Sequence, residues 1–335
     1  MSKIEHGLRL PNVLYIETTN RCNLRCKGCI LYRGNWEPDR DMSVQDLVMI
    51  TDQLPELERA TLHGVGEPLL NKALCRMIAH LKKRNVFVLF NSNGIRLDEK
   101  RRSAIIDSGL DELRISLDAA SPEGYEIIRN SDKFNRIVQN LRAFLKLKKK
   151  RRAVTPRLSL WFLGTKENIV ELPGLLRLAA EIGIVEVHLQ RLVYFQDHQG
   201  YGVARREKTL RSPNDEVLAL IHDSRLLAAQ LGIRFNASGL SSPIESVQAD
   251  SAVKLPWRKC YRPQTLMYIT ANGNVLPCCI SPFSTVDYSS IILGNVFESS
   301  LEEIWSGPKY TYFREQLQTE TPPKCCRGCG VLWSL

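Results

Sequence analysis

The stretch VLYIETTNRCNLRCKGCI, residues 13–30, decides how the rest of this chain is read. Its first six residues, VLYIET, read as a buried strand. Three cysteines follow, Cys22, Cys26 and Cys29, spaced C-x3-C-x2-C. A closed zinc site takes four ligands, and a four-iron cluster held wholly by protein takes four cysteines. Three thiols with no fourth nearby leave one metal position open. An open position is what makes a metal site catalytic rather than structural.

Moving outward, short apolar runs at 60–64, 86–91, 112–118, 157–163 and 185–193 read as five further strands. Helical patterns separate them, around 43–57, 72–83, 101–108, 134–147 and 169–182. Ser43 and Asp46 have the spacing of a capping box at the first of these helices. Six strands alternating with helices predict βαβ units and a parallel sheet. Polar or Gly-rich loops follow the strands, and in such folds the loops at the strands' C-terminal ends carry the chemistry. Residues 196–255 break the rhythm, with one helix at 215–231 in polar, turn-rich surroundings, and read as a linker. From 256 onward LMYITANGNVLP predicts a hairpin turning at Asn272-Gly273. The chain finishes with the cysteine-rich CCRGCGVLWSL.

The chain has 335 residues, 44% hydrophobic and 24% charged, the balance of a globular protein with one large domain and a smaller one. No secretory pattern or membrane-length apolar run is present, so the expectation is a cytoplasmic protein with no membrane partner. Ten cysteines in such a compartment point to metal or catalysis rather than disulfides. Cys75 stands alone on a helical pattern and reads as a core residue. The formal charge of +10 owes much to KLKKKRR, residues 146–152, which reads as a solvated helix end. No basic segment interleaved with aromatics is present, so nucleic acid ranks as the weakest substrate class.

The C-x3-C-x2-C loop after the first strand resembles the radical S-adenosylmethionine (SAM) superfamily. In that family the open iron chelates the methionine part of SAM, and one electron releases a 5′-deoxyadenosyl radical that abstracts a hydrogen atom. HGVGEPLL, residues 63–70, resembles the family's glycine-rich segment, implicating Gly64, Gly66 and Glu67, with Glu67 receiving the SAM amino group. FNSNG resembles the family's Thr-Asn-Gly strand end and implicates Asn93. ISLDAASPEGYEIIR implicates Ser116 and Arg129 in contacts to ribose and carboxylate, and HLQRL places Gln190 near the adenine. The resemblance covers about 13–195 and implies a partial (βα)6 TIM-like barrel, an α/β fold, with a small C-terminal cysteine-rich iron–sulfur domain. The residue before the third cysteine is usually an aromatic that packs the adenine. Here it is Gly28, and Tyr32 is the expected substitute.

The second cysteine group, Cys260, Cys278, Cys326 and Cys329, resembles the SPASM or shorter twitch domain of the same superfamily. Six residues follow Cys329, too few for the full SPASM cysteine set, so one auxiliary [4Fe-4S] cluster is expected from these four. On spacing alone a zinc ribbon stays open as the alternative. Cys279 and Cys325 adjoin these ligands. They are alternative ligands, bystanders, or hydrogen-atom donors to a substrate radical. The domains expected are 1–195 for the barrel, 196–255 for the linker and 256–335 for the auxiliary-cluster domain.

One auxiliary cluster with spare thiols suits dehydrogenation or epimerisation of a small polar molecule such as a sugar or cyclitol. A peptide-modifying maturase is the alternative. It ranks lower because the first strand begins near residue 13, with no room ahead of it for a peptide-recognition domain. The expected partners are SAM, a small-molecule or peptide substrate, and a flavodoxin- or ferredoxin-type electron donor. The non-enzyme alternative, an electron carrier or zinc-stabilised binding module, leaves the open iron and the SAM-pocket residues without a use.

Overall fold

The computed structural model describes residues 9–32, 34, 36–192, 206–210, 213–238, 242–247, 255–285, 287–327 and 329. The expected boundary at 195 and the last residue of the strand expected at 185–193 lie outside the described residues. Seven parallel strands run in chain order: β1 (Val13–Ile16), β2 (Arg59–Thr61), β3 (Phe87–Ser92), β4 (Glu112–Ser116), β5 (Arg157–Gly164), β6 (Glu186–Arg191) and β7 (Arg234–Ala237). Between and after them lie helices α1 (Val44–Asp52), α2 (Leu74–Lys83), α3 (Glu99–Asp107), α4 (Pro122–Arg129), α5 (Phe134–Arg151), α6 (Leu172–Ile182) and α7 (Asp215–Gln230). The helix-covered parallel sheet expected from the alternation is present, with β1 to β6 as the partial barrel.

Strand alternation sorts the two faces. Leu14 and Ile16 of β1 are fully buried in the main core with Ala60, Val88 and Phe90 of the next strands. Tyr15 lies between Leu14 and Ile16 and so turns to the opposite face. The Ser43/Asp46 capping box forms as read. Ser43 Oγ accepts from Asp46 N at 3.0 Å, and the Asp46 carboxylate accepts from Ser43 N at 2.9 Å. α5 runs beyond the expected 147 through the Lys/Arg run, since cations favour a helix C-terminus and are good helix formers. Its end is solvated, with Arg151 paired to Asp107 at 2.8 Å.

Two features depart from the expectation. The segment read as a linker contains β7, which pairs in parallel with β6 and extends the barrel sheet. RFNA is short and half polar, so its strand character comes from its neighbour rather than its own pattern. The hairpin of β8 (Leu266–Ile269) and β9 (Asn274–Leu276) turns at Asn272-Gly273 as expected, with Gly273 at φ +84°. But β8 also pairs in parallel with β1, and β9 pairs antiparallel with β10 (Gly294–Asn295). One sheet of ten strands results, in the order β10-β9-β8-β1-β2-β3-β4-β5-β6-β7. The cysteine-rich region is therefore joined to the barrel through the strand that delivers the first cysteine loop. Beyond these two, α4 is a helix outside the expected pattern, signalled by Ser121 at its N-cap and Pro122 at its first position. Among the described residues no helix is long and apolar enough to cross a membrane.

Candidate active site

The loop after β1 is held from several sides. Asn71, 5% exposed, donates to Thr18 O at 2.7 Å and Met42 O at 2.9 Å. Asn20 donates to Pro38 O at 2.8 Å. The loop after β2 lies directly on it, with Glu67 N donating to Arg21 O at 2.8 Å. A Cβ on Gly66 would stand 2.0 Å from Thr19 O and 2.7 Å from Arg21 O, so only glycine permits this approach. A Cβ on Gly64 would collide with the Glu17 side chain.

The three thiols of the loop line a cleft of about 270 Å³ at the C-terminal ends of the strands. Gly64, Gly66, Glu67, Asn93, Ser116, Arg129 and Gln190 line the same cleft. Seven positions from the loop after β2, the ends of β3, β4 and β6 and the end of α4 are thus brought together with Cys22, Cys26 and Cys29. Burial pushes the Cys22 thiol up to about 12 and raises that of Cys29. Such thiols ionise when a metal charge compensates the lost solvation.

Glu67 is buried and heavily engaged. Its carboxylate accepts from Leu69 N at 3.1 Å, Ser92 Oγ at 2.7 Å and Asn93 N at 2.8 Å. It therefore caps the turn Pro68–Leu70 and fixes the end of β3, with one acceptor site left for a ligand. Asn93 Nδ2 donates to Asn23 Oδ1 at 2.9 Å, tying β3 to the cysteine loop. Arg129, the last residue of α4, donates from Nη2 to Asp118 Oδ2 at 2.5 Å and from Nη1 to Cys26 Sγ at 3.8 Å. Burial opposes its charge, and Asp118 more than restores it. Its Nε–H is buried without a partner.

Sequence reasoning missed several lining residues. Asp118 also accepts from Leu163 N at 2.9 Å, anchoring β4 to β5. Trp161 stacks on His188 at 3.9 Å between centroids, and the Arg114 guanidinium lies 4.1 Å from the Trp161 ring centroid. His63 lines the cleft with a buried, unpartnered Nδ1, and burial, aided by Arg114, lowers its pKa to about 4. Phe283 reaches the cleft from the C-terminal region. Tyr32, expected to replace the aromatic missing at Gly28, is 53% exposed and does not line the cleft. The three-residue helical turn Ile30–Tyr32 buries Ile30 and Leu31 and leaves Tyr32 outward.

The second cysteine group surrounds its own cavity. Cys260, Cys278, Cys325, Cys326 and Cys329 line it with Trp257, Phe313 and Leu317. Cys325 Sγ and Cys326 Sγ lie 3.8 Å apart, so both face the same space. Cys279 does not line this cavity. Its Sγ accepts from Arg262 Nη1 at 3.4 Å. Neither Cys279 nor Cys325, read as hydrogen-atom donors, lines the cleft of the first group. Cys75 packs against the main core from α2, as read.

Residues 16–179 match the model of the radical SAM superfamily, and residues 260–330 match that of an iron-sulfur cluster-binding domain, SPASM. The chain belongs to the radical SAM superfamily and carries a SPASM domain. It is 24% identical to the tungsten-containing aldehyde ferredoxin oxidoreductase cofactor-modifying protein of Pyrococcus furiosus, over 93% of this chain and 85% of that one. It is 25% identical to PqqA peptide cyclase of Gluconobacter oxydans, over 95% and 82%. In fold it is similar to SuiB of Streptococcus suis. SuiB bound to SAM gives a TM-score of 0.70 with 18% identity, over 97% of this chain and 72% of that one. SuiB bound to its precursor peptide SuiA gives 0.65 with 17% identity, over 97% and 71%.

These two domains give the cofactors: a [4Fe-4S] cluster that binds SAM, and auxiliary iron–sulfur binding in the C-terminal domain. The residues present fit them. The first donor set is three thiols and no fourth, which leaves a coordination position for SAM. The unpartnered Arg129 Nε–H and the free acceptor site on Glu67 offer a donor for a carboxylate and an acceptor for an ammonium. The second group brings five thiols to one cavity whose lining also includes the apolar side chains of Trp257, Phe313 and Leu317.

Proposed function

We propose that this enzyme oxidises a peptide by two electrons: the SAM-derived radical would remove one hydrogen atom, and an electron and a proton would then leave, the electron to an auxiliary cluster held by the C-terminal cysteines. The observation that carries this reading is the extent of the match to PqqA peptide cyclase. It spans 95% of the chain and includes the auxiliary domain, not only the SAM core. The likeness in fold to SuiB, solved with a precursor peptide, agrees with it. Asn91 and His63 line the cleft with donors and acceptors suited to peptide amides. The sugar or cyclitol expected from the sequence ranks below a peptide on this evidence.

In this proposal Cys22, Cys26 and Cys29 would hold the SAM-binding cluster, which would supply the electron that cleaves SAM to the hydrogen-abstracting radical. Glu67, Asn93, Ser116, Arg129 and Gln190 bind and orient SAM over it. Cys260, Cys278, Cys329 and one of Cys325 or Cys326 hold one auxiliary [4Fe-4S] cluster. A flavodoxin- or ferredoxin-type protein supplies the reducing electron.

The test is anaerobic turnover of the iron-loaded enzyme with SAM and dithionite, following 5′-deoxyadenosine and substrate mass. A pool of short synthetic peptides should stimulate 5′-deoxyadenosine release and yield a peptide two hydrogens lighter. Stimulation by a pool of sugars and cyclitols, with none by peptides, would return the function to a small polar molecule.

A further inference from the structure

The cleft has an aromatic gap on the wall built by the cysteine loop. Gly28 lines the cleft and offers no side chain there. Tyr32 points to solvent. SAM carries an adenine, whose flat apolar faces gain most from contact with another ring. Two aromatic carbocycles line the cleft, those of Trp161 and Phe283. Trp161 is already packed against His188 and Arg114. Phe283 packs against the buried Ile30/Leu31 pair just beyond Cys29 in the cysteine loop, and with Gly28 it lines the cleft.

We infer that Phe283, a residue of the SPASM domain, is the aromatic wall for the SAM adenine, filling the place left empty by Gly28. It sits in the three-residue turn Ser281–Phe283, just beyond Cys278 and Cys279. The domain bearing it is fixed to the barrel by the β1–β8 pairing and by Tyr268, whose hydroxyl donates to Glu17 Oε2 at 3.1 Å. The SAM site is therefore completed by the second domain, and SAM affinity depends on how that domain is docked.

The experiment measures SAM binding to the iron-loaded enzyme by equilibrium dialysis, with iron counted in each sample. Phe283→Ala should raise the Kd for SAM at least about fivefold with iron content unchanged, the lower end for loss of a base–aromatic stack. Adding Gly28→Phe to that variant should recover most of the affinity, which a purely structural role for Phe283 would not allow. Phe283→Leu keeps the packing against Ile30 and Leu31 but removes the flat ring. It is read in place of Phe283→Ala if that variant loads iron poorly, and it too should bind SAM more weakly. Unchanged SAM affinity in an iron-replete Phe283→Ala or Phe283→Leu variant would overturn the assignment, as would failure of Gly28→Phe to restore any binding.

Discussion

The two cysteine groups solve opposite problems. Cys22, Cys26 and Cys29 come from one short loop, placed by a single strand and open on one side to a polar cleft. The C-terminal thiols come from segments far apart in sequence: after the turn Pro256–Lys259, after β9, and from the helix Lys324–Arg327 and just beyond it. They enclose a space walled by Trp257, Phe313 and Leu317. The first arrangement leaves a metal position for a ligand. In the proposed arrangement the second uses its thiols to complete the coordination of a cluster. An open site needs a scaffold that stays folded without the metal, and the parallel sheet provides it. A closed site can use the metal as part of the scaffold.

The largest effect expected from this contrast separates two cysteine variants. Cys26→Ala should abolish 5′-deoxyadenosine formation and lower iron from about eight to about four per chain. Cys278→Ala should lose a similar amount of iron yet still form 5′-deoxyadenosine, while the modified product disappears. Normal product formation by Cys278→Ala would break the comparison. Wild-type protein with about four irons and one zinc would recast the closed site as a zinc ribbon.

A smaller effect probes the open site's scaffold. Asp118 and Arg129 form a buried pair, with side chains 3% and 17% exposed. Asp118→Asn leaves the guanidinium without its counter-charge and should cost about 3–5 kcal/mol of stability, read by urea unfolding. A change below about 1 kcal/mol would mean that solvent reaches Arg129 and that it does not depend on Asp118.

The last prediction concerns the seam between the two regions. Burial raises the pKa of Glu17 from 4.5 to about 7, while its bonds from Val65 N and Tyr268 hydroxyl work in the other direction. Between those values the folded protein holds this proton more tightly than the unfolded chain does. Its contribution to stability is full below about pH 4.5 and is lost as pH rises to 7. Glu17→Gln removes the titration. The variant should be the more stable protein at pH 8, by up to about 3 kcal/mol, and the advantage should shrink toward zero near pH 4.5. Thermal unfolding across this range checks it, and a difference independent of pH would show that Glu17 does not titrate in the seam.

Much of the open site was legible because its signals are local. The cysteine spacing, the Gly64-x-Gly66-Glu67 segment and the ends of β3, β4 and β6 each sit within a few residues of a strand. The alternation of elements then stacks those ends on one side of the sheet. Tyr32 lies close to the cysteines in sequence but outside the cleft in space. One three-residue helical turn rotates it to solvent and leaves the place to Phe283, about 250 residues further on. β7 and the β1–β8 pairing were invisible for a related reason. A four-residue strand has too few alternations to declare itself, and its partner is chosen by the sheet it completes.

By itself, then, the sequence determined the α/β barrel, the three-thiol loop and the set of strand ends that meet around it, since each depends on short-range pattern and on a topology that leaves few choices. The tertiary structure alone decided that the cysteine-rich domain continues the barrel's own sheet. It alone decided that Cys279 turns to Arg262 while its neighbour Cys278 faces the auxiliary cavity, and that a phenylalanine from that domain reaches the cleft. These are long-range contacts, fixed by packing and pairing between segments that sequence distance does not relate.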